Sequence, residues 1–168
     1  ALRAAQAGHS VALVERDERW SVPFTIRRRS DGAVLGTSRF MDLAYWPDDG
    51  SRTDAGSSAT PSVGEVGATW YAASAQGTRV NPEVKLLLLR HAFEAWQVHR
   101  ITLKTDARNA RSRAAIEKLG ARFEGVRRAH VPATDGGVRD SAYYSIVADE
   151  WPSVRAGLEA RLLAAAGG

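Results

Sequence analysis

Two short stretches place residue types at spacings that could do chemistry. The first is Gln76-Gly77-Thr78-Arg79-Val80-Asn81, a polar run with one glycine that leads into Pro82, Glu83 and four leucines at 86–89. Asn81, Pro82 and Glu83 in that order predict a helix start: a capping side chain, a first-turn proline and an acid near the positive end of the dipole. A glycine-bearing loop that feeds a helix start presents unpaired backbone N–H groups, which seat a phosphate or another anion. The run has neither the Gly-Lys-Ser/Thr of a Walker loop nor the spacing of a GxGxxG turn. The second stretch is Asn109-Ala-Arg-Ser112-Arg113. By residue type alone, Asn109 is a plain N-cap and Ser112 a polar residue of the first turn.

Other chemistries find no footing. His9, His91, His99 and His130 show no metal-ligand spacing and the chain has no cysteine, so no metal site, thiol nucleophile or disulfide is expected. No Gly-x-Ser-x-Gly elbow surrounds any serine. The five tryptophans are scattered rather than interleaved with basic residues as a stacking platform. A net charge of +4 and a pI near 9.8 raise the question of a nucleic-acid partner. The basic residues are spread along the chain, however, and the one dense run, Arg27-Arg28-Arg29, falls in a predicted strand. No nucleic-acid partner is expected. The longest aliphatic run, residues 86–89, is too short to span a membrane, and no apolar signal region appears near the start, so a cytoplasmic location is expected.

The elements that must position these residues are readable from pattern. At 168 residues the chain is expected to be one domain, 1–168. Residues 1–7 are Ala-rich and predict a helix stopped by Gly8. Residues 22–29 and 33–40 read as strands joined by a Ser30-Asp31-Gly32 turn. Residues 47–63, rich in Gly, Ser, Asp and Pro, predict a surface loop, placed where it could cover an acceptor side. Residues 65–71 alternate as a strand, with Val66, Ala68 and Trp70 on one face and Glu65, Thr69 and Tyr71 on the other. Asn81 then caps a buried helix with a stripe of Leu86, Leu89, Phe93 and Trp96. A short strand follows at 101–104, then a helix from Asn109 to the Leu119-Gly120 stop. An antiparallel pair at 122–130 and 138–148 and a last helix at 149–166, with Pro152 in its first turn, complete a mixed α/β domain.

Asn109-x-x-Ser112, followed by Lys118-Leu119-Gly120 and an aromatic strand, resembles the second cofactor motif of the GNAT acyltransferases. Asn81-Pro-Glu-Val-Lys85 with its leucines, and Ala148-Asp-Glu-Trp-Pro152, resemble more narrowly the RimJ/RimL type of ribosomal-protein N-terminal acetyltransferase. The likeness covers residues 22–160. It implies the GNAT fold, a mostly antiparallel twisted sheet flanked by helices, with one more strand and helix ahead of Ala1. It implies acetyl-CoA as acyl donor, no metal, and a primary amine as acceptor, either a protein or peptide α-amino group or a small amine. Succinyl-CoA or another acyl-CoA is the alternative donor, and a CoA-binding domain with little catalysis the alternative role. Dimers are common among similar proteins, and no interface is visible in the sequence.

Laid on these residues, the resemblance puts Trp70 and Tyr71 beside the pantetheine and the pyrophosphate over Gln76, Gly77, Thr78, Arg79, Val80 and Asn81. Arg79 and Asn81 replace two small residues of the family pattern, which removes close backbone approach but offers an arginine to the phosphates. Asn109 and Ser112 would flank the thioester and Arg113 would reach the phosphates. The reaction needs a base for the amine, for which Glu65 is the candidate. It also needs a group to stabilise or protonate the thiolate: Ser112, with Tyr143 or Tyr144 as alternatives, only one of which can face the cleft.

Overall fold

The computed structural model describes residues 10–15, 21–46 and 60–165. The expected helix at 1–7, His9 and most of the loop at 47–63 lie outside the described residues. A seven-stranded sheet runs in the order β1-β2-β3-β4-β5-β7-β6. Its strands are β1 (Val11–Glu15), β2 (Val22–Arg28), β3 (Val34–Ala44), β4 (Val63–Tyr71), β5 (Arg100–Asp106), β6 (Arg122–Pro132) and β7 (Val138–Val147). Among the described residues three α-helices accompany them: α1 (Val80–Arg90), α2 (Ala110–Glu117) and α3 (Trp151–Ala164). Every neighbouring pair is antiparallel except β4 with β5. This is the mixed α/β architecture expected of a GNAT fold.

The strand β1 has no counterpart in the sequence reading. Its five residues pair with β2 from Val11↔Arg28 to Glu15↔Phe24. The segment is short and lacks the period-two alternation that marked the other strands, so only its partner strand reveals it.

The core lies between the sheet and the helices. Phe40, Val66, Leu103, Tyr144 and Ile146 meet Leu86, Leu88 and Leu89 of α1 there, all at most 2% exposed. The helix α1 is buried nearly all round, as its leucine-rich sequence predicts, and packs against α3. Two charged residues, Glu83 and Lys85, are buried with it. Glu83 accepts hydrogen bonds from the Ser10 and Val11 backbone N–H groups and from the Ser10 hydroxyl, so it stitches the start of β1 to α1. No helix among the described residues is long and apolar enough to cross a membrane.

Candidate active site

The parallel pairing of β4 with β5 is brief. It covers Val63↔Arg100, Gly64↔Ile101 and Glu65↔Thr102 and then stops, although β4 continues to Tyr71 and β5 to Asp106. Past that rung β4 stays with β3 and β5 with β7, so the two strands part. A cleft of about 780 Å³ opens between them, walled by residues 66–71, Leu103, Thr105 and the first turns of α1 and α2. The inner strand edges carry backbone N–H and C=O groups with no strand partner across the gap, an edge that another extended group can complete.

A bulge in β4 corrects the expected alternation. Between the pairs Arg39↔Gly67 and Thr37↔Trp70, two residues of β3 oppose three of β4, and Ala68 takes φ 45°. An extra residue reverses which face the following side chains occupy. Thr69 and Tyr71 therefore do not share a face with Glu65. Thr69 Oγ1 accepts from Lys85 Nζ of α1 at 2.8 Å, and the Tyr71 hydroxyl donates to Asn81 Oδ1 of α1 at 3.0 Å. Burial holds the Tyr71 phenol well above its ordinary pKa, so it remains a donor. Trp70 turns the other way and is 61% exposed at the cleft.

The loop before α1 departs from the expected helix start in its capping. Gly77 takes φ 74°, a left-handed conformation that glycine adopts without strain. The helix starts at Val80, two residues earlier than a cap at Asn81 implies, because Arg79 already has helical dihedrals. Asn81 is thus inside the first turn and serves as the acceptor for Tyr71 rather than as a cap. Thr78 takes over part of the capping: its Oγ1 accepts from the Val80 N–H at 3.3 Å and donates to the Ala75 carbonyl at 2.7 Å. Gln76, Gly77, Thr78 and Asn81 line the cleft. Val80 is buried, and Arg79 lies along the helix with Nε 3.7 Å from Glu83 Oε2.

Across the gap, Asn109 and Ser112 line the cleft together. Asn109 Oδ1 accepts from the Ser112 N–H at 2.9 Å, the N-cap that residue type predicted. Arg113 leaves the cleft. Its Nε donates to the Tyr144 hydroxyl at 2.9 Å and its guanidinium stacks over the Phe123 ring at 5.3 Å.

Glu65 sits at the last shared rung of β4 and β5, 3% exposed. Its Oε2 lies 2.7 Å from Lys104 Nζ, which is also 3.3 Å from Asp42 Oδ2. Burial raises the Glu65 carboxyl above the usual carboxylate range even with Lys104 pulling against it. Gly67, two residues on, leaves the carboxylate its room: a Cβ there would stand 2.7 Å from Glu65 Oε1. Tyr143 and Tyr144 point oppositely, as neighbours in a strand must. Tyr143 pairs in register with Lys104, and its hydroxyl lies 3.1 Å from His130 Nε2. Tyr144 is fully buried, and its hydroxyl donates to Glu117 Oε1 at 3.1 Å. Neither tyrosine lines the cleft.

Basic residues of the cleft beyond the candidates that sequence offers include Lys85, Arg111 and Arg139. Lys85 carried a signal, a lone charge inside an otherwise apolar helical run. The two arginines carried none, since arginine is spread along the whole chain.

The comparisons with known proteins agree with this geometry. The acetyltransferase (GNAT) domain profile matches residues 2–122. A structure from T. thermophilus assigned as an acetyltransferase is 37% identical, with a TM-score of 0.69 over 86% of this chain and 68% of its own. A GCN5-related N-acetyltransferase from Brucella melitensis is 25% identical, with a TM-score of 0.70 over 86% of this chain and 58% of its own. RimJ from Mycobacterium smegmatis, solved in complex with CoA-disulfide, is 27% identical, with a TM-score of 0.67 over 84% of this chain and 60% of its own. The chain thus spans roughly three fifths to two thirds of these relatives. No curated protein matched the sequence. With the profile, the 37% identity and the parted central strands in agreement, the chain belongs to the GNAT acetyltransferase family, the acyltransferases that move an acyl group from acyl-CoA to an amine.

Proposed function

We propose that this chain is an acetyl-CoA-dependent N-acetyltransferase of the RimJ/RimL-like branch. It would move acetyl directly to a primary amine, either the α-amino group of a protein or peptide or a small amine. The observation that carries the reading is the parting of β4 and β5 with a buried acid, Glu65, at their last shared rung. The bare inner edges suit the amides of a pantetheine arm, and residues 76–79 with the α1 start suit its pyrophosphate. Trp70 and Tyr71 flank the arm, and Asn109 and Ser112 stand across the gap at its thioester end. The likeness to RimJ, whose structure holds a CoA species, supports both the donor and the branch.

The reaction then follows from the residues. An amine attacks only as the free base. At pH 7 a lysine of pKa about 10.4 is free in roughly one molecule in two thousand, an α-amino group near 8 in about one in ten. The α-amino group asks far less of the enzyme. Glu65 takes the proton, directly or through a water, and its raised pKa brings it nearer to the task. A β4 backbone N–H in the split polarises the carbonyl, and the Ser112 hydroxyl hydrogen-bonds the sulfur. The test is thiol release from acetyl-CoA across a panel of amines. Release that depends on an α-amine supports the reading, faster release from succinyl-CoA would replace the donor, and no release with any amine would overturn the activity.

A further inference from the structure

Lys85 is out of place in α1 by every rule of burial. It is 6% exposed and flanked by Val84 and the leucines at 86–89, all buried. An ammonium among leucines loses most of its solvation and normally recovers it from a carboxylate. Among the described residues no carboxylate lies within ion-pair distance of Lys85. Its Nζ instead donates to Thr69 Oγ1 at 2.8 Å and reaches Ser38 Oγ at 3.4 Å, two hydroxyls that orient the group without neutralising it. The side chain lines the cleft together with Thr69 and Leu103.

Burial lowers the Lys85 amine to about 7, with the charge of Glu65 acting against the drop. Glu65 and Tyr71 of β4 and Lys104 of β5 are the titratable neighbours on the strands. From the helices and β7, Arg111, Lys118, Arg139 and Arg161 share the cleft. Glu65 is the one acid in this set, and its charge offsets only part of the drop that burial causes. Ammonium and free amine therefore coexist near neutrality.

Acyl transfer creates an anion in the same cleft: the thiolate that leaves. A serine hydroxyl can hydrogen-bond it but is too weak an acid to protonate a thiolate whose thiol has a pKa of about 8.5, whereas an ammonium titrating near neutrality is well matched. We propose that Lys85 is the catalytic acid that stabilises the departing CoA thiolate and gives it a proton, a role that rests on the acyl-transfer reading above. The nitrogen of the acceptor bonds to the carbonyl carbon, the carbon–sulfur bond breaks with its electron pair on sulfur, and Lys85 Nζ delivers a proton to that sulfur. The surplus proton of the acceptor nitrogen goes to Glu65. The cycle closes when Glu65 loses it and Lys85 regains one through solvent. The bulge at Ala68 makes this division possible, because Glu65 precedes it on one face of β4 and Thr69, the anchor of Lys85, follows it on the other.

The test needs no acceptor. The intact chain is saturated with CoA and the bound thiol is titrated by its thiolate ultraviolet absorbance, with desulfo-CoA as blank, for wild type and Lys85→Met. In wild type the thiolate fraction at pH 7 should exceed that of free CoA by about tenfold or more, the effect of an opposite charge at close range. In Lys85→Met it should return to within about twofold of free CoA while CoA affinity changes by less than about threefold. Lys85→Arg should keep the bound thiolate and lose turnover, since its guanidinium holds charge but no transferable proton. A bound thiol that titrates like free CoA in wild type overturns the role of Lys85 and leaves the donor site standing, even if no variant folds. Failure of CoA to bind overturns the donor reading itself, and this role with it.

Discussion

Glu65 Oε2 and Lys104 Nζ stand 2.7 Å apart across the point where β4 and β5 separate. Glu65 belongs to the last paired rung and Lys104 to the first inward-facing position beyond it on the same face as Thr102, so the ion pair bridges the base of the split. A carboxylate in that position is held still, partly neutralised and next to the cleft. Those are the properties a base for the incoming amine requires.

Replacing Glu65 with Gln keeps the shape and removes the proposed base. Turnover should fall by about 10²–10⁴-fold, the usual contribution of a positioned general base, with acetyl-CoA affinity nearly unchanged. With Glu65 as the base, activity requires the ionised carboxylate and so rises with pH through the Glu65 pKa. Because that pKa is raised, the acid limb of kcat/KM should lie above the ordinary glutamate value of about 4.3. Steady-state rates from pH 4 to 9 check both points, and the limb should vanish in Glu65→Gln.

Asn109 has two roles that substitution can separate. Asn109→Ala removes the cap of α2 and should cost about 1 kcal/mol, measured by denaturant unfolding. Asn109→Asp restores the cap and the stability. If Asn109 also holds the donor, the added negative charge should still weaken acetyl-CoA binding in a calorimetric titration. Full recovery of affinity along with stability would reduce Asn109 to a cap.

Arg113 is expected to serve the fold. Its contacts are Tyr144 and Phe123, on the side of α2 away from the cleft. Arg113→Met should therefore lower the thermal midpoint by several degrees through the lost hydrogen bond to the Tyr144 hydroxyl and the lost stacking, roughly 3 °C for each kcal/mol in a chain of this size. Acetyl-CoA affinity should not move.

Lys85 should leave a signature in stability as well as in catalysis. Its pKa is about 7 in the folded chain, against 10.5 for the ordinary side chain. Between those values the unfolded state binds more protons, so this group makes stability rise with pH from about 7 to 10 and contributes no slope below 7. Lys85→Met removes the buried charge. It should raise the thermal midpoint at pH 6 to 7, and the gain should shrink as pH approaches 10. Melting curves for both proteins across that range check the sign.

The parts of this account that sequence made visible are the local ones. The capping asparagine at 109, the Gly120 stop and the leucine-rich α1 all announce themselves within a few residues, and the structure has each of them. The misses depend on partners distant in the chain. The bulge at Ala68 exists only in the register against β3, and without it Thr69 and Tyr71 read as neighbours of Glu65. Asn81 looks like a cap until Tyr71 claims its carbonyl. Arg113 looks like a phosphate ligand until Tyr144 and Phe123 are seen beneath it. Lys104 meets Glu65 only because two strands that pair over three rungs bring residues 39 apart in sequence together.

The most direct measurement is an isothermal titration of the chain with acetyl-CoA. The parted strands, the loop at 76–79 and the two helix starts predict saturable one-to-one binding in the micromolar range, lost when Gly77 is replaced by a residue that resists its left-handed backbone. A flat titration with wild type, or binding that Gly77→Val leaves untouched, would contradict the placement of the donor in this cleft.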